Sequence, residues 1–259
     1  MEVQMSKQVS FSDPFVAARI EKVSVAGSEI EKIGVVIPDD TGADHCVGVL
    51  SKEYNLVQNS TARDVALDVM SRTEYRWKEM KTIWNGKQLI QSYVTEDSIT
   101  KISGSNDHPL HAGVMIRNSY DGTGKFGFEF FAFNLVCHNQ YISRNRFGYF
   151  AFRHTDKGFD LDDAITNVQK GSERLLAIAP KISELRQQEL QSSNIIAAKQ
   201  NTMIPQSKWG DVIDQLAKEE GTVFGLFQAM TFIATHQLVG YTAITIGDSI
   251  TSHILGKDQ

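Results

Sequence analysis

The chain has 259 residues, 41% hydrophobic and 22% charged, with a formal net charge of −5. That size and content allow a sizeable core, as one elaborated domain or as a domain with a helical extension, and exclude a disordered polymer. Only Cys46 and Cys137 are present, which excludes a disulfide-stapled secreted scaffold and fits a reducing cytosol.

The net acidity argues against unspecific coating of DNA, but charge is unevenly spread. Residues 1–71 carry 6 basic and 11 acidic groups, and residues 158–259 carry 8 and 12. Residues 72–101 carry 6 and 4, and residues 117–157 carry 6 and 3. The middle is mildly positive between acidic flanks, which permits a phosphate-binding groove without demanding one. The opening, MEVQMSKQVSFSDP, lacks the charged-then-apolar pattern of a signal peptide. Residues 221–247 hold no charged side chain, yet Gln228, His236, Gln237 and Gly240 make them too polar and broken for a membrane span. A buried helix followed by a strand is expected there, in a soluble, cytoplasmic protein.

In chain order, residues 15–37 read as extended pieces divided at Gly27-Ser28, and Pro38 to Gly42 as a turn. HCVGVLSKEYNLVQN resumes as strand on its β-branched valines. Asn59-Ser60-Thr61 resembles a helix N-cap, and Ala62, Val65, Ala66, Val69 and Met70 follow at amphipathic-helix spacing. Residues 74–95 predict strands turning at Asn85-Gly86. GSNDHP is a loop. The stretch Val114 to Gln140 then places two aromatic-rich runs around SYDGTGK, a strong hairpin signal at Asp121-Gly122. The basic, aromatic segment YISRNRFGYFAFRH follows. From Asp160 the period turns helical, with Leu161, Ile165, Val168, Leu175, Ile178, Ile182 and Leu185 in a near-heptad stripe that Pro180 should kink or break. Further helices are expected after Pro205, around Trp209, Val212 and Leu216, and over residues 222–237.

Three blocks in this order resemble the domain-of-unknown-function family numbered 932, found in phages and plasmids. The first is Gly48-Val-Leu-Ser-Lys-Glu-Tyr54-Asn-Leu-Val-Gln58-Asn59, followed by the Asn85-Gly86 turn. The second joins Asn118-Ser119-Tyr120-Asp121-Gly122 to Val136-Cys137-His138-Asn139. The third runs from Gly221 to Thr235-His236. Two departures stand out: the family usually carries arginine ahead of the Val-Cys pair, where this chain has Asn134-Leu135, and Phe227-Gln228-Ala229-Met230 replaces a family Asn-Ala-Val. At one further remove, the resemblance implies a fold similar to the single-strand annealing proteins of the Rad-fifty-two type. In those, a curved antiparallel sheet packs on a helix, and rings or filaments hold single-stranded DNA in a basic groove.

Side-chain chemistry singles out candidate residues for single-strand contact. Arg144, Arg146 and Arg153 can neutralise phosphate, and Phe147, Tyr149 and Phe152 can stack bases without demanding a sequence. The plain alternative is a strand with its aromatics in the core. Arg72, Arg76, Lys78, Lys81 and Lys87, interleaved with Tyr75, Trp77 and Trp84, would line the opposite wall of a groove or form a solvated sheet face. Arg117 and Lys125 flank the hairpin turn as further phosphate contacts. His45-Cys46 and Cys137-His138 supply zinc-type ligands, but adjacent strand residues point to opposite faces, so no metal site is expected. Glu79-Met-Lys81 with Asp68 is too loose for a metal nuclease. GTGKFG lacks the phosphate-loop spacing, so an ATP-driven recombinase is disfavoured.

The expected fold is α+β: a curved, mostly antiparallel sheet packed on a helix over residues 1–157, then a helical region over residues 158–259 that packs on it or mediates oligomer contacts. The expected function is that of a phage or mobile-element protein that binds and anneals single-stranded DNA without ATP, cofactor, metal or bond-breaking catalysis. It would work as a homo-oligomer with phage or host replication and recombination proteins. Two alternatives stay open: a single-strand coat protein that does not anneal, and a phage protein that binds a host protein complex.

Overall fold

Ala26 and Gly27 both take positive φ, 49° and 81°, and join β1 (Arg19–Val25) to β2 (Ser28–Pro38). Two left-handed residues in a two-residue loop give the turn whose twist matches that of paired strands. In the next turn the Asp39 carboxylate accepts bonds from the Thr41 amide and hydroxyl and the Ala43 amide, with His45 Nε2 at 2.9 Å from its other oxygen. These bonds, led by the Thr41 hydroxyl, hold its pKa well below the usual carboxylate range. β3 (Asp44–Ser51) completes a three-stranded antiparallel sheet of order β1-β2-β3. The structure, a computed structural model, describes residues 9–102, 108–134, 140–142, 149–152, 154 and 161–256.

A second sheet holds β4 (Trp77–Trp84), β5 (Gln88–Thr95), β6 (Thr100–Ile102), β7 (His108–Ser119), β8 (Phe126–Asn134), β9 (Gln140–Ile142) and β10 (Tyr149–Phe152). Its order is β10-β8-β7-β5-β4, with β6 paired to β7 and β9 to β8, all antiparallel. Both predicted hairpins form. Gly86 (φ 84°) turns β4 into β5, and the Asn85 carboxamide oxygen accepts from the amides of Lys87 and Gln88. The β7–β8 connection is longer than a two-residue turn: residues 120–125 intervene, and Asp121 Oδ1 accepts from the Thr123 amide and hydroxyl.

Strand alternation gives this second sheet two apolar faces. On the first, Tyr93, Leu110, Val114, Ile116, Phe126, Phe128 and Phe130 pack with helices. On the second, Ile90, Val94, Met115, Phe131 and Phe133 join Ile244. Phe131 pairs with Gly113, where a Cβ would stand 2.3 Å from the ring, so the ring lies flat over bare backbone. A sheet apolar on both faces has to be covered on both, and here helices do so.

Six α-helices are described: α1 (Asn59–Ser71), α2 (Leu161–Glu184), α3 (Ser192–Asn201), α4 (Trp209–Leu216), α5 (Val223–His236) and α6 (Gly240–Ile254). With two antiparallel sheets and helices gathered in the C-terminal part, the class is α+β, as the sequence implied. The apolar stripe of α1 buries Ala62, Ala66, Val69 and Met70 against the first face. Its start differs from expectation. Gln58 is the N-cap residue and no side chain caps the helix; instead the Asn59 amide donates to the Tyr120 hydroxyl at 2.9 Å, across 61 residues.

Pro180 does not break α2, which runs through it as one element, so of the break or kink that the sequence predicts the break is absent. One further expectation fails. Residues 240–254 form a helix, where the sequence predicts a strand reaching residue 247. Thr242, Thr245 and Ile246 carry the β-branched signal, but Ile246 with Ile250 and Ile244 with Thr251 are buried at i,i+4 and i,i+7, and that burial decides. In α5 the Thr222 hydroxyl caps the first turn by accepting from the Gly225 amide. Leu226, Phe227, Met230 and Ile233 are wholly buried, each stabilising by about 1.5–3 kcal/mol. Among the described residues, no helix is long and apolar enough to cross a membrane.

Candidate nucleic-acid interface

The first block and the Asn118–Gly122 part of the second meet inside the molecule. Gly48 packs so closely on the β7–β8 connection that a Cβ there would stand 2.5 Å from the Tyr120 carbonyl oxygen. Tyr54 donates its hydroxyl to the Ser119 carbonyl at 2.6 Å. Asn118 Nδ2 donates to the Val57 carbonyl and to Asn59 Oδ1, each at 2.8 Å. Gln58 clasps the Ala18 backbone from both ends of its carboxamide. Burial pushes the Tyr120 phenol up to about 12, against the opposing bond from the Asn59 amide. These side chains therefore weld the small sheet, the start of α1 and the long hairpin into one joint. Buried polar groups of this kind have to be mutually satisfied, which makes their spacing exacting.

His154 closes the joint from the far side of the sequence. Its ring stacks on Tyr54 with centroids 4.6 Å apart, Nδ1 lies 3.1 Å from the Asn55 carbonyl, and the Asn55 amide donates to the His154 carbonyl. Burial lowers the imidazole pKa, and the bond to Asn55 works against that shift. No feature of the sequence alone pointed to this histidine.

Of the candidate contact residues, Arg144, Arg146, Phe147 and Arg153 lie outside the described residues, as do Cys137 and His138. Tyr149 begins β10, its backbone paired with Glu129 at one edge of the large sheet. Lys78 and Lys81 lie on β4, at the other edge. Four inter-strand steps of about 4.8 Å separate the edges, about 19 Å in all. Tyr149 and the pair Lys78 and Lys81 thus lie on opposite edge strands, and helices occupy the faces between.

Arg117 is corrected by the structure. Expected to grip phosphate, it is 5% exposed, and its Nε lies 3.5 Å from Oε2 of the fully buried Glu129. Alternation along β7 turns it to the same face as Met115, and that face is covered. Arg76 is exposed but engaged, with Asp97 at 2.9 Å and Glu96 at 3.4 Å. Asp97, then Glu96, raise its pKa above the usual guanidinium value.

Lysines 78, 81, 87 and 125 are different. All four are exposed, and none has a carboxylate within ion-pair distance among the described residues. The bulge between Glu79 and Lys81 resets the alternation, so that Lys78 and Lys81 share one side of β4, opposite Val94 and Ser92. Lys87 sits in the β4–β5 turn. Lys125 sits at the neighbouring tip, tied to it by the Gln88 to Thr123 bond of 2.6 Å. By contrast Arg19, Lys22, Lys52, Arg63 and Arg72 are each spent on a nearby carboxylate. The loose nuclease pattern dissolves: Asp68 pairs with Arg72, and Glu79 accepts from the Thr82 hydroxyl. His45 is taken up by Asp39, and the Cys46 thiol points at the Gly48 carbonyl.

The site so defined is a lysine-bearing edge on a two-faced α+β sheet. The profile of the family described as a domain of unknown function, DUF932, matches residues 46–240, and the chain belongs to that family. No curated protein and no solved structure matches it.

Proposed function

We propose that this chain binds single-stranded nucleic acid without ATP and anneals complementary strands, as a homo-oligomer serving phage or mobile-element recombination. The observation that carries the reading is the run of four lysines, unpaired among the described residues, along β4 and round the two hairpin tips. Free cations along an exposed sheet edge suit a flexible polyanion whose phosphates they neutralise. Paired carboxylates on the flanks would keep the rest of the acidic surface from competing. In this reading the protein breaks no bond.

The test is a titration of labelled oligonucleotide across a salt series, followed by mixing of complementary strands. For single strands, each neutralised phosphate contributes about 0.7 to the slope of log K against log salt. Lys78→Ala with Lys81→Ala is therefore expected to flatten it by about 1.4, and the wild-type protein is expected to accelerate pairing. Slowed pairing with an intact slope would convert the proposal to a coat protein. Absence of binding at low salt would end it.

A further inference from the structure

Between the second face of the large sheet and the α5–α6 corner lies a cavity of about 270 Å³. We infer that it is a binding site for a small amphipathic anion, an apolar body ending in one carboxylate-like group. The cavity is close to the lower bound of about 300 Å³ for ligand pockets, which favours a small guest. Its walls are mostly apolar, as Met80, Ile83, Met115, Phe133, Leu238 and Ile244 show, with Lys81, Ser92, Thr235 and His236 as the polar exceptions. Such walls satisfy no base edge or sugar, but they suit a hydrocarbon body.

Three features make one end polar. Ser92, 4% exposed, lines the cavity from β5, and its hydroxyl makes no hydrogen bond among the described residues. With no partner of its own, that hydroxyl is free to donate to or accept from a guest. Lys81 reaches the cavity from β4 with its ammonium unpaired among the described residues. The first turn of α6 opens onto it through Gly240 and Ala243, with Val239 as an N-cap residue whose side chain makes no capping bond and with no acidic residue in that turn. Its free amides and the positive end of the helix dipole favour a negative charge there. The third block, ending at Thr235-His236, forms the same wall. The inference does not depend on strand binding.

Isothermal titration of the full chain with sodium octanoate, its shorter homologues and neutral 1-octanol tests it. One saturable site is expected, with affinity rising about fourfold per methylene from pentanoate to octanoate, and with octanol at least fivefold weaker. Lys81→Met is expected to bring octanoate down to the octanol level, and Ser92→Ala to weaken it severalfold. Met115→Trp fills the cavity and should abolish binding; if that variant misfolds by circular dichroism, Ala243→Phe fills it from the helix side. Three results overturn the inference: no saturable octanoate binding, octanol binding as well as octanoate, or full binding in a folded cavity-filled variant. No nucleic acid is present, so its failure leaves the strand-binding reading untouched.

Discussion

Arg117→Met separates a structural arginine from a phosphate contact. In the folded chain this guanidinium is 6% exposed beside a carboxylate that is 0% exposed, at 3.5 Å. Removing the cation takes one ion-pair partner from a wholly buried carboxylate, and breaking a buried pair in this way costs about 3–5 kcal/mol. For a chain of this size each kcal/mol lowers Tm by about 2–4 °C, so a drop of about 6–20 °C is expected. Replacing both partners, Arg117→Met with Glu129→Leu, removes the carboxylate together with the cation and should restore much of that stability. Thermal melts by circular dichroism read all three variants, and oligonucleotide titrations on the same samples read the salt slope. The slope should not move. A variant that melts with the wild type, or one whose slope flattens by about 0.7, would refute the placement of this residue.

Gly48→Ala drives a methyl to within 2.5 Å of the Tyr120 carbonyl oxygen and 2.8 Å of Asp121 Cα, both backbone. A destabilisation of about 1–3 kcal/mol is expected as a lower urea midpoint at unchanged m-value, whereas Gly210→Ala, in a helix with nothing within 4 Å, should be neutral or mildly stabilising. Thr222→Ala removes the oxygen that caps α5 and should cost about 0.5–2 kcal/mol in the same measurement. His154 and His253 both have pKa values lowered by burial. A base depressed in the folded state contributes stability that is complete above its ordinary pKa of about 6.5 and is lost as pH falls through the folded value. Tm is therefore expected to fall on acidification below about pH 6.5, and less steeply in His154→Asn.

Turn chemistry and helical stripes were the legible parts of the sequence. Asn85-Gly86 and Asp121-Gly122 mark real hairpins because those residue pairs satisfy backbone geometry locally, before any tertiary contact forms. The stripe of α1 was visible for a similar reason. The start of that helix was not, since the partner of the Asn59 amide is a tyrosine 61 positions away. Thr242, Thr245 and Ile246 misled because β-branching measures a local preference, and the burial of Ile244 and Ile250 overrides it. Arg117 misled for another reason: a strand buried on both faces hides whichever side chain alternation turns inward, and a sheet covered twice is announced by no single strand. The cavity had no signal at all. It is assembled from β4, β5, β7, β8 and the α5–α6 corner, and a serine within an apolar strand reads as an ordinary polar position until its hydroxyl is found without a partner among the described residues.

Lys81 belongs to both proposals, and that overlap has a consequence. On β4 it stands in the row with Lys78, and it also lines the cavity. An anion seated there pairs with the ammonium and removes one cation from the edge. The strand then meets three free lysines instead of four, and the salt slope should fall by about 0.7, as if Lys81 were alanine. Reciprocity requires the converse: a bound strand that occupies Lys81 weakens the small anion by the same factor. In Lys81→Ala the coupling has no carrier, so octanoate should leave strand binding unchanged. If both proposals hold, the edge and the cavity form one electrostatic unit, and a small anion would regulate how tightly a strand is held.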